Sequence, residues 1–270
     1  MSPFAWGSRT YVMGIVNVTP DSFSGDGLAG RPGDAVEQAV RMVADGADVI
    51  DVGGMSTRPS HVEVSPAEEL RRVTEVLPGI VRGAGVPVSV DTYRADIAEA
   101  ALNLGATILN DVWGLRREPR IADLAAQSGA WLVLMHNQEG TAYADLVPDV
   151  VAALAGSVEI ALAAGVARER LIVDPGIGFG KTAEQNIEIL RHLASLKALG
   201  LPILLGTSRK SFIGRILDLP VDERVEGTAA TVALGIAGGA DMVRVHDVRA
   251  MTRVARVVDA VVRGAPLPPT

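Results

Sequence analysis

Short apolar runs that stop at a polar residue recur along the chain, each followed by a loop and then by apolar residues at helical spacing. Tyr11 to Val16 stops at Asn17. Ala47 to Val52 carries Asp51 near its end, Pro87 to Val90 leads to Asp91, and Thr107 to Leu109 leads to Asn110 and Asp111. Trp131 to Met135 stops at His136, Leu171 to Val173 at Asp174, and Met242 to Val245 at His246. Leu201 to Leu205 runs into GTSRKSFIG, which contains Ser208 and Lys210. Between these runs the pattern predicts helices. The first has Val36, Val40 and Val43 on one face, Asp34 as its cap and Gly46 as its stop. Others are predicted from Pro66 to about Val81, Arg94 to Leu104, near Pro119 onward, around Leu154 to Ala164, Glu184 to Leu199, Val225 to Ile236 and Val248 to Val262.

Eight alternations of near-continuous apolar strand and helix predict a parallel sheet covered by helices on its outer side. Eight units suit a closed α/β architecture, the (β/α)8 TIM barrel, with a doubly wound open sheet as the alternative. At 270 residues the chain suits one such domain over residues 1–270, with a frayed tail over about 264–270. A formal charge of -7 gives no general attraction to nucleic acid or to an anionic membrane. The absence of cysteine removes disulfides, a thiol nucleophile and thiolate metal ligands. The most apolar helical stretch, Val150 to Val166, is interrupted by Gly156, Ser157 and Glu159 and reads as a packed helix rather than a membrane span. The N-terminus has no basic segment leading into an apolar core, which sets a cytoplasmic expectation.

The segment LIVDPGIGFGKT, Leu171 to Thr182, shows how the polar residues are delivered. A buried strand ends at Asp174, and Pro175 and Gly176 prevent it from continuing. Gly180-Lys181-Thr182 imitates the close of a phosphate-binding P-loop, but Pro175 stands where that motif needs glycine, and no third glycine completes G-x-G-x-x-G. What remains is an acidic strand tip followed by a mobile glycine loop carrying Phe179 and Lys181. Asn17, Asp51, Asp91, Asn110, His136, Asp174, Ser208 and His246 all fall at the same phase of the repeat. Any one alone could cap a helix, but together they point to the C-terminal face of a barrel, where active sites of this fold lie. Asp91, Asn110 and Asp174 offer the acceptors and the amide that read a flat heterocycle with an amino-amide edge. Asn17, Arg58, Arg244 and His246 suit phosphate oxygens or a hydrated Mg²⁺, and Lys210 and Ser211 stand near the start of a short helix.

In chain order the motifs MGIVNVTPDSFS, DVGGMSTRP, SVDT, ILNDV, LMH, DPGIGFGKT, GTSRKSFIG and RVHDV resemble the dihydropteroate synthase family over about Val12 to Val248. The resemblance implies a transferase in which 4-aminobenzoate displaces pyrophosphate from 6-hydroxymethyl-7,8-dihydropterin diphosphate, a step of folate biosynthesis that sulfonamides inhibit. It implies that Asp91, Asn110, Asp174 and Lys210 hold the pterin, with Met135 and Phe179 at its faces and Gly206 beside it. Arg58, Arg244 and His246 would hold the diphosphate, and Asn17 would help position Mg²⁺. Phe23, Thr57, Pro59 and Ser211 would form the aminobenzoate pocket, with Asp51 supporting Arg244 or His246. It also implies a homodimer built from outer helices. The chain departs from the family pattern at Met55 and Ser60, where GGESTRPG is common, and around Asp26 in SGDGL. A catalytically silent pterin-binding paralogue and a barrel presenting methyltetrahydrofolate to a corrinoid protein stay open as alternatives.

Overall fold

The computed structural model describes residues 3–19, 31–55 and 64–264. Its eight parallel strands are β1 Tyr11–Asn17, β2 Val49–Gly53, β3 Val88–Asp91, β4 Ile108–Asp111, β5 Trp131–Met135, β6 Leu171–Asp174, β7 Leu204–Leu205 and β8 Met242–Val245. They run in the order β6-β5-β4-β3-β2-β1-β8-β7. The ring closes between β6 and β7 through a parallel bridge from Val173 to Ile203, with the Val173 N–H donating to the Pro202 carbonyl at 2.9 Å. This is the (β/α)8 barrel, and the open-sheet alternative falls away.

The helices that cover it are α1 Pro32–Ala44, α2 Pro66–Ala84, α3 Ala95–Asn103, α4 Arg120–Ser128, α5 Leu146–Ala163, α6 Ala183–Arg191, α7 Ser211–Leu217, α8 Val225–Ala237 and α9 Val248–Val262. Three expectations need correction. Asp34 lies inside the first turn of α1 instead of capping it, because Pro32 starts the helix and Asp34 pairs with Arg31 at 3.3 Å. The helix expected over Glu184–Leu199 breaks at His192 into α6 and a 3₁₀ segment, Leu193–Leu199, where Leu193 and Leu196 recur at the three-residue period of that tighter helix. Helix α5 begins eight residues earlier than expected, with Pro148 tolerated in its first turn. By length and composition α5 could cross a membrane. Here Leu146, Val150, Leu154, Val158 and Ala161 are buried in the shell between helices and sheet.

Strand alternation divides the molecule into two cores. Outward residues such as Val12, Val16, Ile50, Val52, Leu132, Leu134 and Val243 pack under the helices. Inward residues fill the barrel, and their chemistry changes along its axis. Tyr11, Met13, Val49, Ile108, Trp131, Val133, Ile172, Leu204 and Met242 form an apolar lower layer with Phe4. One strand repeat higher, the inward positions are Asp51, Ser89, Asn110 and Arg244, and then Asp91, Met135 and Asp174. The period of two that builds the apolar layer also stacks the polar layer on top of it.

Candidate active site

Arg244 on β8 joins the inward polar residues. Its Nε donates to Asp51 Oδ2 at 2.6 Å and its Nη2 to Asp91 Oδ2 at 2.8 Å, while Asn110 Nδ2 donates to the same Asp51 oxygen at 3.2 Å. Residues from four strands thus form one network. Burial disfavours the Arg244 charge, but Asp51 and Asp91 more than offset it and hold the guanidinium protonated. Burial also pushes the Asp91 carboxyl upward, against the pull of Arg244. Among the described residues, Asp51 Oδ1 and Asp91 Oδ1 are buried without a hydrogen-bond partner. A buried carboxylate oxygen left unpaired is costly, and a bound N–H donor relieves that cost.

Asp174, at the tip of β6, is 5% exposed and accepts the Gly176 N–H on Oδ1 at 2.7 Å. Burial pushes its carboxyl up to about 6, opposed by that hydrogen bond and by the positive charges of Lys210, Arg244 and Lys181. Gly206 lies beside it, its notional Cβ 4.0 Å from both Asp174 Oδ2 and Arg244 Cβ. Lys210 Nζ sits 4.2 Å from the centroid of the Phe179 ring. Phe179, Met135, Val112, Tyr93 and Trp113 belong to one apolar cluster at the mouth, and Met55 is buried in it. A carboxylate at position 55 would face apolar neighbours here, so methionine fits its surroundings.

The loop from Gly176 to Thr182 is tied down, and its glycines serve close packing. Gly176 has φ +69°, and a Cβ there would fall 1.8 Å from the His136 carbonyl oxygen. Gly178 has φ +83°, and its missing side chain leaves room for the Lys210 stem. Asn186 Oδ1 accepts the Gly178 N–H at 2.6 Å, Tyr143 Oη donates to Gly180 O at 2.7 Å, and a capping box of Thr182 and Gln185 starts α6. Lys181 turns inward beneath this loop, donating to Gly176 O and Phe179 O at 3.1 Å each and lying 2.9 Å from His136 Nδ1. His136 is one residue beyond inward-facing Met135, so it leaves the set of polar strand tips and joins Lys181 instead. Burial and Lys181 hold the imidazole neutral, near a pKa of about 3.

On the opposite wall, Ser208 Oγ accepts the His246 N–H at 3.1 Å and lies 2.9 Å from His246 Nδ1. The hydroxyl can donate to Nδ1 or accept from it, and the tautomer of the ring sets which. Arg209 adopts φ +55° between Ser208 and Lys210, held by a two-pronged pair with Asp247 at 3.0 and 2.7 Å. Ser211 is exposed at the first residue of the seven-residue α7. Asn17 ends β1 beside Gly53, whose notional Cβ lies 3.7 Å from Asn17 Oδ1. Asp111 faces outward and fastens the β4–α4 loop by accepting the Trp113 and Leu115 N–H groups at 2.8 and 2.6 Å. Phe23, Thr57, Arg58 and Pro59 lie outside the described residues, as do Asp26 and Ser60. The flanks of 56–63 are held by arginines, Arg72 donating to Gly54 O at 3.2 Å and Arg94 to Val64 O at 3.1 Å. Arg94 in turn pairs with buried Glu69, a link for which the sequence pattern offered no signal beyond an acid at a core position of α2.

A family described as pterin binding enzyme matches residues 13–246. The dihydropteroate synthase of Bacillus subtilis is 49% identical over 259 residues, covering 96% of this chain and 91% of the relative. A solved Clostridium difficile dihydropteroate synthase, obtained in the presence of pteroic acid, superposes with a TM-score of 0.93 at 50% identity, covering 96% of this chain and 99% of that one. The Xanthomonas albilineans dihydropteroate synthase solved with 4-aminobenzoic acid superposes at 0.89 with 40% identity, covering 97% of this chain and 95% of that one.

Proposed function

The chain belongs to the pterin binding enzyme family and is a transferase with dihydropteroate synthase activity, and from that premise we propose how its barrel mouth divides the reaction. The reaction joins 4-aminobenzoate to 6-hydroxymethyl-7,8-dihydropterin diphosphate with loss of pyrophosphate. The observation that carries the assignment of roles is the Asp51–Arg244–Asp91–Asn110 network with its unpartnered Asp91 Oδ1. Asp91 and Asp174 accept the N–H groups of the amino-amide edge, and Asn110 donates and accepts beside them. Phe179 and Met135 cover the ring faces, and Lys210 donates to the ring edge above Phe179. Among the described residues, Arg244 spends Nε and Nη2 on Asp51 and Asp91. Its main work is therefore to hold two buried carboxylates in place and aimed, with Nη1 left for substrate.

We assign the diphosphate to His246 and Arg58. Among the described residues no group of three acidic or histidine side chains could cage a metal. A lone amide oxygen at Asn17 fits Mg²⁺ that keeps waters and takes its remaining ligands from diphosphate. When bound, Mg²⁺ would neutralise charge on the departing pyrophosphate. Loss of pyrophosphate from the exocyclic methylene leaves a cation that the dihydropterin ring delocalises, so a neutral arylamine suffices as nucleophile. No activated serine or histidine is required. Phe23, Thr57, Pro59 and Ser211 would seat the aminobenzoate, and sulfonamides of similar shape would compete there. For the homodimer we favour the face of α7 and α8, where Ile216, Leu217 and Leu234 are exposed.

Pyrophosphate release by the purified protein with pterin diphosphate and Mg²⁺, with and without 4-aminobenzoate, tests the reading. Dihydropteroate formed only with both substrates is the expected product by mass. Pterin binding without turnover would assign the chain to a silent paralogue. Replacement of Asp174 by Asn is expected to weaken pterin binding about a hundredfold without unfolding the barrel, measured by calorimetry. Unchanged affinity would remove Asp174 from the pterin site.

A further inference from the structure

The roles above leave the buried lysine of the turn after β6 unused. Lys181 is 9% exposed, burial lowers its amine to about 7, and that amine donates to Gly176 O and Phe179 O at 3.1 Å and lies 2.9 Å from His136 Nδ1. The protonated form has three N–H bonds, and this geometry uses all of them and leaves none for substrate. The acceptors belong to two separate elements. His136 follows β5, whereas Gly176 and Phe179 bracket the turn that follows β6.

We propose that Lys181 is a positioning residue for pterin recognition, fixing Phe179 and Asp174 by cross-linking the turn after β6 to the end of β5. Two paths lead from it. Through Phe179 O it sets the height of the ring that lies 4.2 Å from Lys210 Nζ. Through Gly176 O it holds the residue whose N–H donates to Asp174 Oδ1 at 2.7 Å, and so directs the other carboxylate oxygen toward the barrel axis. Without the ammonium, the Gly176 and Phe179 carbonyls would converge on an empty point and repel each other. The His136 anchor stops the turn from moving as a unit, because burial and Lys181 keep that ring neutral 2.9 Å from the amine. The three positive-φ glycines at 176, 178 and 180 let the backbone fold around the lysine, with φ of +69°, +83° and +55°.

This inference rests on the assignment of Asp174 and Phe179 to the pterin, so the experiment includes a control for that assignment. Lys181→Met, Phe179→Leu and the double variant are compared by steady-state kinetics with each substrate varied in turn, beside Asp174→Asn. Lys181→Met is expected to raise KM for the pterin diphosphate about tenfold and to leave KM for 4-aminobenzoate within about twofold. The double variant is expected to lose no more than the worse single variant. A pterin KM within about twofold of wild type, equal losses for both substrates, or losses that multiply in the double variant would overturn the proposal. If Asp174→Asn leaves the pterin KM unchanged, the pterin assignment itself fails and takes this inference with it.

Because the chain contains no cysteine, Lys181→Cys supplies a unique thiol. Alkylation in denaturant with bromoethylamine, followed by refolding, rebuilds a lysine isostere and covers the case in which Lys181→Met does not fold. Recovery of the pterin KM to within about twofold of wild type, from a folded but impaired cysteine form, supports positioning. A protein that folds only after aminoethylation makes Lys181 structural, and an aminoethylated protein still impaired removes the ammonium from the explanation. Either result overturns the proposal.

Discussion

The two ends of the barrel interior share one set of strands and one alternation, yet they are built from opposite materials. At the base, Phe4, Trp6, Tyr11 and Trp131 interlock with ring centroids 4.6–5.8 Å apart, and Arg9 and Arg170 lie over the Tyr11 and Trp131 rings. At the mouth, the same inward positions carry Asp51, Asp91, Asn110, Asp174 and Arg244. Large rings bury apolar area and fix each other's geometry, so the base stabilises. Buried carboxylates with unpaired oxygens are costly until a ligand satisfies them, so the mouth recognises. A fold that concentrates stability at one end can carry strain at the other.

The contrast is sharpest at Arg244. Replacing it with Met leaves Asp51 and Asp91 buried without their cation, and stability at pH 7 is expected to fall by about 3–5 kcal/mol. kcat/KM is expected to fall about a thousandfold. The stability loss should shrink at pH 5, where Asp91 accepts a proton more readily because burial has already raised its carboxyl. Chemical denaturation at both pH values, with kinetics at pH 7, measures both effects. A variant that lost stability but kept its activity would make the Arg244 network an extension of the base.

At the base, Trp131→Ala is expected to cost about 3–4 kcal/mol of stability by opening a cavity among Phe4, Trp6 and Tyr11. Folded protein should keep both KM values within about twofold of wild type, because nothing in that layer touches the substrate positions. A change in pterin KM would show that the two ends are coupled through the strands.

The pH response separates stability from recognition at a single residue. Burial raises Asp174 to about 6. For a carboxyl whose folded value exceeds its unfolded value of about 3.9, the stabilising contribution is full below that value and is lost as pH rises through about 6. Pterin binding has the opposite sign, since the carboxylate is the acceptor. Calorimetry at pH 5 is expected to give roughly tenfold weaker pterin binding than at pH 7. A flat profile would place the proton elsewhere.

The smallest effect is expected at Arg170. Its guanidinium carbon lies 5.4 Å from the Trp131 ring centroid, and Arg170→Ala should lower stability by about 0.5–1 kcal/mol with unchanged kinetics. Thermal unfolding would register this as a shift of a few degrees.

Much of the mouth was legible because barrel strands announce themselves twice, by an apolar run and by the polar residue that stops it. Asn17, Asp91, Asn110, Asp174 and His246 were all visible in this way, and the motifs at successive strand ends placed Lys210 and Phe179 beside them. The break of a predicted helix at His192 was less legible, because Leu193 and Leu196 fit a 3.6-residue period nearly as well as a three-residue one. What the sequence determined by itself was the count of strands and the acidic, cysteine-free set of groups from which a site could be made. Only the tertiary structure decided which of those groups meet. Closing eight strands into a ring brings Arg244 from β8 onto Asp51 and Asp91, residues 193 and 153 positions away, and sends His136 out of the polar centre to Lys181. The physical reason is that alternation is a local property of each strand, whereas a side chain's partner is set by the register between strands, which no single strand encodes.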